Sequence, residues 1–156
     1  MLVTGGTKGI GLAIALAFGA RGAHCYLTYK WGSADLESVA EAFKQAGAPE
    51  PVIMEADAGE DEDTVKVIQR IAQDHDAVEV LVSNVAFALV TKGGFDDYKL
   101  RSMLQSLNYS TWPMVGYFQE IVRITGHKPR YVLGISSDAP DTYIPGYDFA
   151  AVTKAT

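Results

Sequence analysis

Short apolar runs alternate along this chain with longer stretches in which apolar residues recur every three or four positions. Five runs are compact and β-prone: Met1–Thr4, Ala23–Tyr29, Pro51–Glu55, Val78–Ser83 and Tyr131–Ile135. Largely continuous apolar runs of this length suit strands buried on both faces of a parallel sheet. The stretches between them predict helices. Ile10–Arg21 places Ile10, Ala13, Ile14, Ala17 and Phe18 at helical spacing and stops at Gly22. Ser33 is the expected N-cap of a helix reaching Gln45, with Gly47 as its stop. Asp61–Asp74 repeats Val65, Ile68 and Ile71 on one face. From Asp96 to Thr125 the period is helical, with Pro113 marking a break or kink. Asp138–Gly146 holds two prolines and reads as a loop, after which Phe149–Thr156 starts another helix.

Strands separated by such helices imply right-handed βαβ crossovers. The expected fold is α/β: a doubly wound parallel sheet covered on both faces, in three layers. Residues 1–156 read as one domain, without repeat, low-complexity tract or linker. The last helix has hardly begun where the sequence stops, and its apolar face has little to pack on. A further C-terminal portion is therefore expected.

Composition narrows the function classes. A chain of 156 residues with 48% hydrophobic and 21% charged residues is an ordinary globular composition. A net charge of −6 argues against a general nucleic-acid binder, which would carry a basic face. A phosphate-bearing small molecule stays open, because such ligands use local sites. Cys25 is the single cysteine and reads as a buried strand residue; no zinc spacing exists. His24, His75 and His127 are scattered and form no metal set. No apolar signal core and no membrane-length span is present, so a reducing cytoplasm is the expected setting. Glu60–Asp63 reads as a favourable acidic first turn, and Trp31 and Trp112 as packing residues.

The densest chemical signal is Thr4-Gly5-Gly6-Thr7-Lys8-Gly9-Ile10-Gly11, between a strand and a helix. Glycines let the backbone turn tightly and approach a pyrophosphate, while the helix start offers free N–H groups and a positive dipole end. The spacing resembles the Thr-Gly-x3-Gly-x-Gly fingerprint of the short-chain dehydrogenase/reductase family, and the likeness runs along the whole chain. It implies a Rossmann-type sheet and a dinucleotide held by Gly5, Thr7, Lys8, Gly9, Ile10 and Gly11, with Asp57 and Ala58 at the adenine. Asn84 is what remains of the family's Asn-Asn-Ala-Gly run in Ser83-Asn84-Val85-Ala86. Asn108 matches the family's helix Asn, which supports a water chain to the catalytic Lys. Ser137, beside Ser136, matches the family's Ser. The family's substrate lid would lie beyond the residues given.

A carboxylate after the second strand would grip the adenosine ribose hydroxyls and repel a 2′-phosphate. Here Thr28-Tyr29-Lys30-Trp31 stands there, with no acid until Asp35. Lys8 and Lys30 and that missing acid favour NADPH over NADH, with Tyr29 lining the same site. Both lysines could equally be solvated surface charges.

Tyr147 and Lys154 close the chain seven positions apart. Ordinary members of the family pair Tyr and Lys four apart for carbonyl reduction, and Ala150 stands at that place here. A Tyr-x6-Lys pair resembles the enoyl-acyl-carrier-protein reductases of the family, nearest the NADPH-dependent type that keeps the ordinary glycine fingerprint. Hydride then goes to the β-carbon and charge develops on the thioester oxygen, so the hydroxyl donor must be displaced. The resemblance implies Tyr147 as donor and Lys154 as the ribose-binding cation, with Ile135-Ser136-Ser137 before the loop. It also implies an acyl-thioester substrate, an acyl carrier protein as candidate carrier, and a homodimer or homotetramer pairing through the helix from Tyr98 to Thr125. In that helix Met114 and Phe118 are either interface or core. Tyr143 is a rival donor, and Ser137 could bind substrate or only cap its strand. A carbonyl reductase with a shifted Tyr, and a non-catalytic dinucleotide-binding protein, remain alternatives.

Overall fold

A computed structural model describes residues 1–32, 35–87 and 89–155, the side chains of 94 and 95 excepted. Five strands form one parallel sheet: β1 (Leu2–Val3), β2 (Tyr26–Tyr29), β3 (Val52–Glu55), β4 (Val80–Ser83) and β5 (Tyr131–Gly134). Their order is β3-β2-β1-β4-β5. Six α-helices accompany them: α1 (Gly9–Gly19), α2 (Leu36–Gln45), α3 (Asp61–Asp74), α4 (Leu100–Ser110), α5 (Trp112–Thr125) and α6 (Asp148–Ala155). A 3₁₀ turn covers Gly94–Asp97. The expected three-layer, doubly wound fold is thus observed.

Strand alternation divides the core. Leu2, Tyr26 and Leu81, in register across three strands, pack with Ile68 and Ile71 of α3 and Tyr117 and Ile121 of α5. Val3, Leu27 and Val82 face the other way, toward Ala15 of α1 and Val39 and Phe43 of α2. Cys25 is buried in that second layer, one residue before β2. The order reverses between β1 and β4: β1 is followed outward by β2 and β3, and β4 by β5. A crevice at the carboxyl edge opens at such a switch point.

Several element edges moved from expectation, each for a local reason. Ser33 lies outside the described residues; Asp35 is the cap of α2, its Oδ1 accepting from Glu37 N at 3.1 Å and Ser38 N at 3.4 Å. The long Asp96–Thr125 helix is two helices joined at Thr111, with Pro113 in the first turn of α5, where a missing N–H costs nothing. The two differ in anchorage. Pro113, Tyr117 and Ile121 of α5 are buried, whereas Ser106 is the buried residue of α4 and Leu100 and Leu104 are exposed. Phe118 packs against the core beside Tyr117, and Gly134 of β5 faces Met114. Trp31 is 55% exposed and Trp112 44%, so neither is the enclosed packing residue expected. Among the described residues no helix is long and apolar enough to cross a membrane.

Candidate active site

A cleft of about 390 Å³ lies at the carboxyl ends of β1 to β4. The glycine turn forms its floor and is laced to both neighbouring strands. Gly5 N donates to Thr28 Oγ1 at 3.3 Å, and Gly6 N to Thr28 O at 3.0 Å. On the other side the Thr4 hydroxyl accepts from Asn84 N at 3.0 Å, while Asn84 Nδ2 donates to Thr4 O and Gly5 O at 3.1 and 3.0 Å. Gly5 sits at φ +61°, a conformation that a side chain would strain. Gly11 is needed for a different reason: a Cβ there would stand 2.6 Å from Asn84 Nδ2 and collide with Gly5 O. Asn84 therefore clamps the turn from β4. This is a cradle of backbone N–H groups at a helix start, and it fits the pyrophosphate of a dinucleotide.

Of the residues expected to hold that ligand, Gly5, Thr7, Lys8, Tyr29, Lys30, Asp57, Ala58 and Asn84 line the cleft. Gly9 and Ile10 start α1, and buried Gly11 lies behind Asn84. The cleft is also lined by Trp31, Val85, Ala86 and Tyr109, which sequence reasoning did not assign to it. The Trp31 and Tyr109 rings lie 4.9 Å apart, and Phe87 stands 5.9 Å beyond Tyr109. An aromatic just after the second strand was the available signal for Trp31; Tyr109 had none.

Asp57 is held from three sides. Its N–H donates to Asp63 Oδ2 at 3.0 Å, its Oδ1 accepts from Gly59 N at 3.0 Å, and Tyr109 Oη stands 3.5 Å from Oδ2. That bond from the Asp57 amide, with the Lys66 bond, holds the Asp63 carboxyl below the usual range. The acidic first turn of α3 is thus also a positioning element for Asp57.

Charge at the ribose end differs from expectation. Lys30 Nζ bonds Glu55 Oε1 at 2.9 Å, which raises the lysine's pKa. Tyr29 and Glu55 are partners in the β2–β3 register, so an acid does reach this site, from the neighbouring strand. The Lys8 ammonium lies against Gly32, where a Cβ would collide with it.

The other half of the edge belongs to β5 and α6. Lys154 Nζ donates to Ile135 O, just beyond β5, and partial burial pulls its pKa down. Ser136 Oγ donates to Lys154 O at 3.2 Å and holds the end of α6. Ser137 Oγ accepts from Ala139 N at 3.2 Å, leaving its own proton to donate. Tyr147 stands directly before α6, seven positions and about 10 Å of rise from Lys154. It is 38% exposed and lines a shallow pocket with Ala139, Tyr143, Ile144 and Ala151, apart from the glycine cleft. Tyr143, the rival donor, is 82% exposed on the same pocket. Asn108 was expected either to support a water chain to the lysine or to bond backbone from within its helix. Its Nδ2 donates to a backbone carbonyl, Gly59 O, at 3.2 Å, on the Asp57 flank. Thr111, one turn on, bonds α6, its hydroxyl donating to Thr153 O at 3.0 Å. Among the described residues no set of three or more His, Cys, Asp or Glu is placed to hold a metal ion.

Comparison with known proteins agrees with this architecture. Residues 5–156 match the family model described as "Enoyl-(Acyl carrier protein) reductase". The short-chain dehydrogenase/reductase FrzI of a Cladobotryum species is 30% identical over 114 residues, 73% of this chain and 40% of that protein. Versicolorin reductase 1 of Aspergillus parasiticus is 35% identical over 83 residues, 53% of this chain and 31% of that protein. A short-chain dehydrogenase/reductase from Serratia marcescens shares the fold at a TM-score of 0.83 and 21% identity, over 99% of this chain and 62% of that one. The chain thus spans less than two thirds of each of these relatives. With the glycine cradle, the strand order and the matched residues together, this chain belongs to the short-chain dehydrogenase/reductase family.

Proposed function

We propose that this chain is the dinucleotide-binding part of an NADPH-dependent oxidoreductase that reduces the carbon–carbon double bond of an enoyl thioester. The observation that carries the reading is the spacing of Tyr147, the residue before α6, and Lys154, near the end of that helix, with the Lys154 ammonium at the carboxyl end of β5. The matched family model supports it by its description. The bound dinucleotide supplies the hydride. The chain's own groups do the rest. Backbone N–H groups of the turn beyond Gly6 hold the pyrophosphate, Asp57 and Ala58 face the adenine, and Lys8 faces the 2′-phosphate. Tyr147 donates to the thioester oxygen as charge develops there, and Lys154 supplies the positive charge beside it. Asn108, from the adenine side, steadies the Gly59 turn that carries Asp57.

The same reading makes the substrate an acyl thioester, carried by coenzyme A or an acyl carrier protein, in fatty-acid or polyketide synthesis in the cytoplasm. It makes the protein a homodimer or homotetramer pairing through α4 and α5. The experiment is a pair of assays following NADPH absorbance, one with crotonyl thioester and one with acetoacetyl thioester. Turnover of the first carries the proposal. Turnover of the second alone replaces it with carbonyl reduction, the reading favoured by the likeness to versicolorin reductase 1. Tight NADPH binding without either turnover assigns a non-catalytic role.

A further inference from the structure

Tyr147 stands between two residues that one distant side chain holds. Thr91 lies in the segment after β4 and is 6% exposed. Its N–H donates to Gly146 O at 2.9 Å, and its hydroxyl donates to Asp148 Oδ2 at 3.0 Å. Gly146 has φ +78°, and a Cβ there would stand 2.8 Å from Thr91 O and 3.2 Å from Val90 Cγ1, so the two segments meet at a distance only glycine permits. Asp148 is gripped from a second point. The Tyr98 phenol and then the Thr91 hydroxyl bond its carboxylate, and together they hold its pKa below the usual range. The Tyr98 ring also packs on Phe149, centroids 5.1 Å apart. Tyr147's own backbone is closed by Tyr147 N to Ile144 O at 3.0 Å and Ala151 N to Tyr147 O at 2.8 Å.

We infer that Thr91 is the positioning residue for Tyr147: by bonding the residues on either side of it, Thr91 sets where the phenol enters the site. The inference rests on the reading of Tyr147 as donor to the substrate oxygen. Thr91 acts through Gly146 and Asp148. A side-chain bond of this kind matters because displacing a reacting group by about 1 Å costs on the order of 100-fold in rate. Losing the hydroxyl leaves the backbone bond to Gly146, so the effect is smaller.

Thr91→Val keeps the backbone bond to Gly146 and removes the hydroxyl bonds to Asp148 Oδ2 and, at 3.4 Å, to Gly146 O. It is expected to lower kcat for crotonyl thioester about tenfold, with KM and the NADPH Kd within about twofold of wild type. Thr91→Ser restores most of the rate, and Asp148→Asn, which weakens the same bond from its other end, reproduces the Thr91→Val loss. In a Tyr147→Phe background Thr91→Val has no further effect, because the group it positions is gone. An equal loss from Thr91→Val in both backgrounds overturns the proposal alone, as does a serine variant as slow as the valine one. Wild-type turnover in Tyr147→Phe overturns the donor reading and the positioning role with it.

Discussion

The carboxyl edge of the sheet presents backbone atoms to a ligand over β1 and side chains over β5. At the glycine turn the proposed binding groups are backbone N–H donors of a turn that Thr28 fixes on one side and Asn84 on the other. At α6 the proposed working groups are the ends of two long side chains, on a helix bonded by Thr91, Thr111 and Ser136 from three separate segments. The contrast teaches where each half is vulnerable. A backbone cradle fails when atoms are added, because there is no room for them. A side-chain site fails when atoms are removed, because each carries a charge or a proton that nothing replaces.

The sharpest break is deletion at α6. Tyr147→Phe is expected to lower kcat by roughly 100- to 1,000-fold, the loss of one oxyanion donor, with the NADPH Kd unchanged by fluorescence titration. Addition at the cradle comes next. Gly11→Ala pushes a methyl group into Asn84 and Gly5 O, so it is expected to destabilise by about 1–3 kcal/mol in denaturant melts and to weaken NADPH binding. Rising pH attacks the α6 half. Burial makes the Lys154 ammonium less favourable than a surface lysine's, so its charge is lost earlier as pH rises. The alkaline limb of kcat/KM should therefore lie below the ordinary lysine value, and Lys154→Arg, which stays charged, should shift that limb upward. Lys8→Ala separates the cofactors: NADPH affinity falls about tenfold, NADH affinity little, on the strength of one phosphate contact. The smallest effect has the opposite sign. Glu55→Gln releases Lys30 from its acid partner and should tighten NADPH by about two- to fivefold, as expected of one partly exposed charge.

How much of this was legible follows from the range of each interaction. Helix α3 was readable to its ends, because its acidic first turn and its apolar period are local signals, although the buried face is Thr64, Val67, Ile68 and Ile71, with Val65 at its margin. The glycine turn was readable for the same reason, its strand, turn and helix being contiguous. The start of β2 was read three residues early, since Ala23 is still bonded to Phe18 O in the turn that ends α1. Pro113 was seen as a break, but not that it would begin a new helix. Glu55 was missed at the ribose site because it acts on Lys30 from 25 residues away, through parallel pairing that no single segment displays. Asn108 was matched to a water chain toward Lys154 from family position alone; its bond to Gly59, 49 residues away in the turn between β3 and α3, is a tertiary matter. Tyr109, Trp31 and Thr91 acquire their roles the same way.

The joint at Thr111 has a geometric consequence. Helix α5 is moored by Tyr117 and Ile121, while α4 rides outside with Leu100 and Leu104 in solvent, and Tyr109 reaches from it to the edge of Asp57. Helix α4 also packs against both α5 and α6, and Thr111 at its end donates to Thr153 O, in the helix that carries Lys154. One helix therefore borders both ends of the crevice, the Asp57 end through Tyr109 and the Lys154 end through α6.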